Sequence, residues 1–215
     1  MPTPTTTERD QPAAPFLEDG FSASPEDVLR CRTYRLLAAL LARAPDTELL
    51  TLLASSKPRE LGGDGLEAAW AALAAAAEQG LTRDLEREYH DLFIGLGRGE
   101  LLPYGSWYLS ETLMGRPLAE LRQDLVKLGF ERRPDVHEPE DHIAAVLEVM
   151  AALGETPAGL EAQPSFFERH LKAWGRRFFE ELATAEAAAF YRAVGLLGQE
   201  FLQLEELYLD SSACT

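Results

Sequence analysis

From Ser24 onward the apolar residues of this chain return every three or four positions, and no stretch bounded by turn residues keeps a period of two. A helix completes a turn in 3.6 residues and a strand alternates at every second one, so this spacing restricts the chain to helices. The clearest case lies near the C-terminus, where Phe190, Val194, Leu197, Phe201, Leu204 and Tyr208 form a seam suited to packing against other helices. The pattern predicts an all-α fold, a single domain of about eight or nine helices over residues 24–212. The Thr- and Pro-rich segment 1–23 before it is expected to be disordered.

Local signals place the boundaries. Ser24-Pro25-Glu26-Asp27 offers a capping hydroxyl, a proline at the first helical position and two acids against the helix dipole. Asp46 and Thr82 are candidate caps for later helices, and Gly80 and Gly129 are stops. Helices are predicted over 106–114, 117–128, 138–153, 165–182 and 185–209, with loops at Lys57–Asp64 and Gly154–Pro164. Glu138, Glu140 and Asp141 are expected to form the acidic first turn of the 138–153 helix.

Composition removes several functions. A formal charge of −16 repels nucleic acid and favours cationic partners. The two cysteines, Cys31 and Cys214, form no Cys-x-x-Cys, so neither a zinc cluster nor a disulfide framework is expected. No apolar run approaches the roughly 20 residues of a membrane span, and residues 1–10 do not read as an export signal. Arg132-Arg133 and Arg176-Arg177 are internal and read as surface charges.

Enzymatic signatures are equally sparse. Gly95-Leu-Gly-Arg-Gly99 follows a helix and lacks Gly-Lys-Ser/Thr, so it reads as a helix stop, with nucleotide binding as the alternative. The four histidines, His90, His137, His142 and His170, form no His-Glu-x-x-His; His137 and His142 flank Glu138-Pro139-Glu140-Asp141, leaving a metal-dependent helical enzyme as a second alternative. No Gly-x-Ser-x-Gly elbow and no Glu-x-x-His on a helix is present. What stands out instead is an aromatic group, Pro103, Tyr104, Trp107 and Tyr108, beside glycines, a combination suited to recognition as well as to core packing.

Three stretches carry a resemblance. They are Tyr89-x-x-Leu92-Phe93 followed by Gly97 and Pro103-Tyr104-x-Ser106-Trp107-Tyr108; Glu138-Pro139-x-Asp141-His142-Ile143; and Gln163-x-x-Phe166-Phe167-x-x-His170-Leu171-x-x-Trp174. In that order the chain resembles the TorD/DmsD family of chaperones over about residues 30–205. One departure is Ala173, where many members of that family carry proline. The resemblance implies a cytoplasmic chaperone, not an enzyme, with no cofactor and no metal of its own. Its partners would be the twin-arginine signal peptide and the immature catalytic subunit of a molybdopterin-dependent oxidoreductase, held until cofactor insertion and export. The implied binding residues are Tyr104, Ser106, Trp107, Pro139, Asp141 and His142, with Pro103 and Glu138 beside them and Leu92 and Phe93 lining or supporting the pocket. Asp141, Glu138 and Glu140 would take the arginines, and Leu92, Phe93 and Trp107 the apolar segment. A general helical adaptor is the remaining alternative, and both a monomer and a dimer exchanging helices about Gly129–Glu138 stay open.

Overall fold

The Oγ of Ser24 accepts a hydrogen bond from Asp27 N at 3.0 Å, with Pro25 in the first helical position, and this cap opens the first helix of the fold. The computed structural model describes residues 24–56, 64–95, 99–132 and 136–212. Ten helices lie among them: α1 (Pro25–Ala42), α2 (Thr47–Ser55), α3 (Asp64–Gly80), α4 (Leu85–Phe93), α5 (Gly105–Ser110), α6 (Arg116–Lys127), α7 (Ile143–Leu153), α8 (Pro157–His170), α9 (Gly175–Thr184) and α10 (Phe190–Ser212). No strand occurs among the described residues; Tyr104 and His142 form an isolated antiparallel bridge. The fold is all-α. The expectations for residues 1–23, 57–63, Gly97, Arg133 and Cys214 lie outside the described residues.

Helix α10 packs along α9 and α3, α1 lies against α7, and α7 against α8. The predicted seam does this packing: Phe190, Val194, Leu197 and Phe201 are buried together with Tyr34, Leu37, Leu147, Phe178 and Phe179 in one core. Backbones of α9 and α10 come close at Gly195, where an added Cβ would sit 2.5 Å from Ala183 N. A charged group is buried among the helices around Arg30. Arg30 donates to Glu205 through Nε and Nη2 at 2.6 and 2.7 Å, to Asp27 at 2.7 Å and to Gln163 at 3.0 Å, tying α1 to α8 and α10. Tyr208 covers its guanidinium at 4.0 Å.

Four expectations are corrected here. Asp84, not Thr82, caps α4, accepting from Arg87 N at 3.0 Å. The stretch expected as a loop from Gly154 to Pro164 is largely helical, because Thr156 caps α8 and Pro157 occupies its first position. The helix expected over 165–182 breaks at 171–174, where Trp174 Nε1 donates back to His170 O at 2.7 Å; this divides α8 from α9 and raises the helix count. The helix expected from Glu138 begins at Ile143, and its first turn holds no acid. Pro139 disfavours helical backbone at Glu138, residues 139–142 form a turn closed by His142 N donating to Pro139 O at 3.1 Å, and His142 is held extended against Tyr104.

Candidate functional site

The extended pairing is short and well defined. Ile143 N donates to Pro103 O at 2.8 Å, and Gly105 N donates to Asp141 O at 2.9 Å. Tyr104 and His142 therefore face each other as the non-hydrogen-bonded pair, in which side chains stand closest. Their rings meet edge to face with centroids 5.3 Å apart. Tyr104 Oη donates to Glu138 Oε2 at 2.9 Å, fixing the segment from its other end. Two motifs far apart in sequence are thereby joined: Pro103, Tyr104, Ser106, Glu138, Pro139, Asp141 and His142 all meet here.

Asp141, at the end of the turn, and His142, at the bridge, reach opposite sides. Asp141 lines a cavity of about 370 Å³ together with Ser106, Arg116, Arg169, His170 and Trp174. His142 lines a groove of about 940 Å³ on the other side, with Glu138 and Pro139. The groove's apolar surface comes from Tyr89, Leu125, Val126, Phe130 and Val149, and its walls carry Glu131, Glu138, Glu140 and Glu148 along with Arg122 and Arg132.

Each carboxylate has a distinct setting. Asp141 is buried; its Oδ2 accepts from Ser106 N at 2.8 Å and its Oδ1 has no hydrogen-bond partner. The dipole role expected of Asp141 is real but belongs to α5, whose own cap residue Tyr104 supplies no side-chain bond. Glu140 accepts from Arg122 Nε at 2.8 Å and lies 3.7 Å from Arg132 Nη1. Burial alone would raise its carboxyl pKa, but the hydrogen bond and charge of Arg122, with Arg132 behind, hold it below the ordinary value. His142 caps α7, its Nδ1 accepting from Ala144 N at 3.2 Å, which requires a neutral ring with the proton on Nε2. Burial pushes this imidazole below its usual pKa against the opposing fields of Glu138 and Asp141. His142 is thus committed to the backbone, and no group of three or more His, Cys, Asp or Glu among the described residues could hold a metal.

The other expected site residues fall elsewhere. Leu92 is sealed in the core, because the face of α4 that carries it packs inward. Phe93 is half-buried and packs on Tyr89 and Tyr191, with centroids at 5.0 and 5.4 Å. Neither lines the groove; Phe93 packs on Tyr89, which does. Trp107 is half-buried on α5 and lines neither cavity; the indole in the smaller cavity is that of Trp174, which stacks on Tyr108. Sequence reasoning missed Leu125, Val126 and Phe130. A signal existed: Val126 stands off the Leu118-Leu121-Leu125 face of α6 and widens its apolar arc, and it is 75% exposed. Gly95 follows α4 with a positive φ of 59°, as a helix stop would.

Residues 61–180, more than half the chain, match the family model of the nitrate reductase delta subunit. The chain belongs to that family. Among curated proteins it is similar to the chaperone protein TorD of Vibrio cholerae, at 30% identity over 138 residues, 59% of this chain and 63% of that protein. It is also similar to the probable Tat proofreading chaperone DmsD of Haemophilus influenzae, at 34% identity over 135 residues, 61% of this chain and 64% of that protein. The chain thus spans somewhat less than two thirds of the length of these curated relatives. A solved structure from Archaeoglobus fulgidus aligns with a TM-score of 0.47 and 17% identity, covering 87% of this chain and 99% of that one. The likeness to TorD and DmsD read from the three sequence motifs is borne out. No helix of the described residues is long and apolar enough to cross a membrane.

Proposed function

We propose that this chain is a cytoplasmic maturation chaperone, not an enzyme. It binds the twin-arginine signal peptide of a molybdopterin-dependent oxidoreductase subunit and holds that immature subunit until its cofactor is inserted. Residues 24–212 act as one unit in this reading. The observation that carries it is the groove of about 940 Å³, apolar along Leu125, Val126, Phe130 and Val149 and lined with glutamates. A twin-arginine signal couples a basic start to an apolar segment, and the groove offers a matching surface to each. Glu138, Pro139 and His142 line it directly. Pro103, Tyr104, Ser106 and Asp141 hold those three in place, and Leu92, Phe93 and Trp107 contribute from outside the groove lining.

Titration calorimetry with a signal peptide of this type tests the reading. Binding should be accompanied by a negative heat-capacity change, the mark of apolar burial. A peptide whose apolar segment is replaced by Ser and Gly should bind far more weakly. Equal affinity for the two peptides overturns the proposal.

A further inference from the structure

One wall of the groove already holds a guanidinium, and it is the chain's own. Arg132 donates through Nε to Val136 O at 3.0 Å and through Nη2 to Glu138 O at 3.0 Å, while Nη1 lies 3.7 Å from Glu140 Oε1. Two backbone carbonyls and a carboxylate thus surround one planar cation, a geometry that suits the fork of an arginine better than the point charge of a lysine. Arg122 occupies the other oxygen of Glu140 at 2.8 Å and keeps that carboxylate in place. Val136, Glu138 and Glu140 all line the groove, so the cradle opens onto the surface that takes the peptide. Its occupant is more open to solvent than the cradle: the Arg132 side chain is 39% exposed, against 17% for Glu140. An arginine arriving on a peptide offers the same planar fork to the same three acceptors, so it can replace the resident side chain one for one.

We propose that this cradle is the arginine subsite of the groove, and that Arg132 is a resident surrogate which an incoming peptide arginine displaces. The proposal rests on the peptide-binding reading above and adds where one arginine goes and what it must compete with. Asp141 is not that partner: it faces the other cavity and is engaged by Ser106 N. A tethered competitor reduces apparent affinity by the fraction of time the cradle is filled, so removing it tightens binding.

Two measurements test this separately. The first needs no peptide. Arg132→Ala should leave a vacant cradle that ethylguanidinium fills, seen as shifts of the Val136 to Glu140 amide resonances that saturate in the variant, are weaker in the wild type, and are not reproduced by ethylammonium. Identical responses of variant and wild type overturn the cradle. The second uses calorimetry with a peptide bearing Arg-Arg before an apolar segment, and its Gln-Gln counterpart. Arg132→Gln should bind the Arg-Arg peptide at least about threefold more tightly than wild type and leave the Gln-Gln peptide unchanged. Glu140→Gln should weaken the Arg-Arg peptide and abolish the gain from Arg132→Gln. If wild type binds the Arg-Arg peptide and Arg132→Gln binds it no better, the surrogate role is overturned while peptide binding stands. If neither protein binds either peptide, the groove reading itself falls, and this proposal with it.

Discussion

Asp141 caps a helix to which it does not belong: its Oδ2 accepts from Ser106 N at 2.8 Å, while the carbonyl of the same residue accepts from Gly105 N at 2.9 Å. Both bonds cross from one family motif to the other, so Asp141 holds α5 and the Tyr104–His142 pair in register. Removing a buried carboxylate that bonds a backbone N–H costs about 1–3 kcal/mol. Asp141→Ala should lower stability by that amount in denaturant melts. Asp141→Asn should weaken an Arg-Arg and a Gln-Gln peptide by the same factor in calorimetry, because its effect passes through the frame. A loss confined to the Arg-Arg peptide would instead make Asp141 the arginine partner.

The two tryptophans of this region should separate cleanly. Trp174 is 2% exposed, stacks on Tyr108 at 5.6 Å and donates to His170 O. Trp174→Ala should cost about 3–5 kcal/mol of stability, the range for a large core side chain. Half-buried Trp107 should cost less when changed to Ala. Thermal and denaturant melts on both variants check the order, and a larger cost at Trp107 would contradict the packing described here.

The helical class and the C-terminal seam were legible because periodicity alone carries them, and Ser24 with Pro25 marked a boundary through local chemistry. Misreadings cluster where a distant contact decides the backbone. Gly154, Pro157, Gly159 and Pro164 look like a loop, yet Thr156 and Pro157 start a helix whose buried Phe166 and Phe167 carry it past Pro164. Glu138 to Asp141 look like a first turn of helix, yet His142 N closes a turn on Pro139 O and His142 is held extended against Tyr104, about forty residues earlier. Of the candidate site, the motif residues were readable one by one. Which way each faces was not, since Asp141 and His142 reach different cavities through a pairing that no local pattern encodes.

Val126 offers a test of the groove with little structural cost. It is 75% exposed on α6 and lines the groove. Val126→Asp should change stability by no more than about 0.5 kcal/mol, as for most surface substitutions. Placing a carboxylate where an apolar segment docks should weaken peptide binding by about tenfold or more through its desolvation. Parallel melts and calorimetry measure both. Unchanged affinity would remove Val126 from the contact surface.

Stability should fall as the solution becomes mildly acidic. His142 and His170 both have folded-state pKa values below the ordinary imidazole value, burial being the first cause in each. The unfolded chain then binds more protons than the folded one just below about pH 6.5, so stability is full above that value and declines as pH falls through it. At His142 the reason is visible: protonating Nδ1 would abolish the acceptor that caps Ala144 N. His142→Asn keeps a capping oxygen and removes the titration. Denaturant melts at about pH 7 and pH 5.5 should therefore differ less for this variant than for wild type. An unchanged pH dependence would assign the effect to His170, where the hydrogen bond and charge of Asp124 oppose burial.

The buried ion group around Arg30 is expected to be the most sensitive point away from the site. Glu205 is 2% exposed and takes two of the guanidinium's donors, with Asp27 and Gln163 taking one each. Burying charges costs several kcal/mol each, and the group is tolerable only while complete. Glu205→Ala leaves Arg30 with a single carboxylate in a site closed by Tyr208 and should destabilise the protein by about 3–5 kcal/mol. Arg30→Met made together with Glu205→Leu removes the charge and its partner at once, and should recover a large part of that loss, because apolar replacements of a whole buried pair are often neutral. Denaturant melts of the single and double variants supply the comparison. A double variant less stable than Glu205→Ala would mean that Asp27 and Gln163, left without Arg30, dominate the energetics of the contact between α1, α8 and α10.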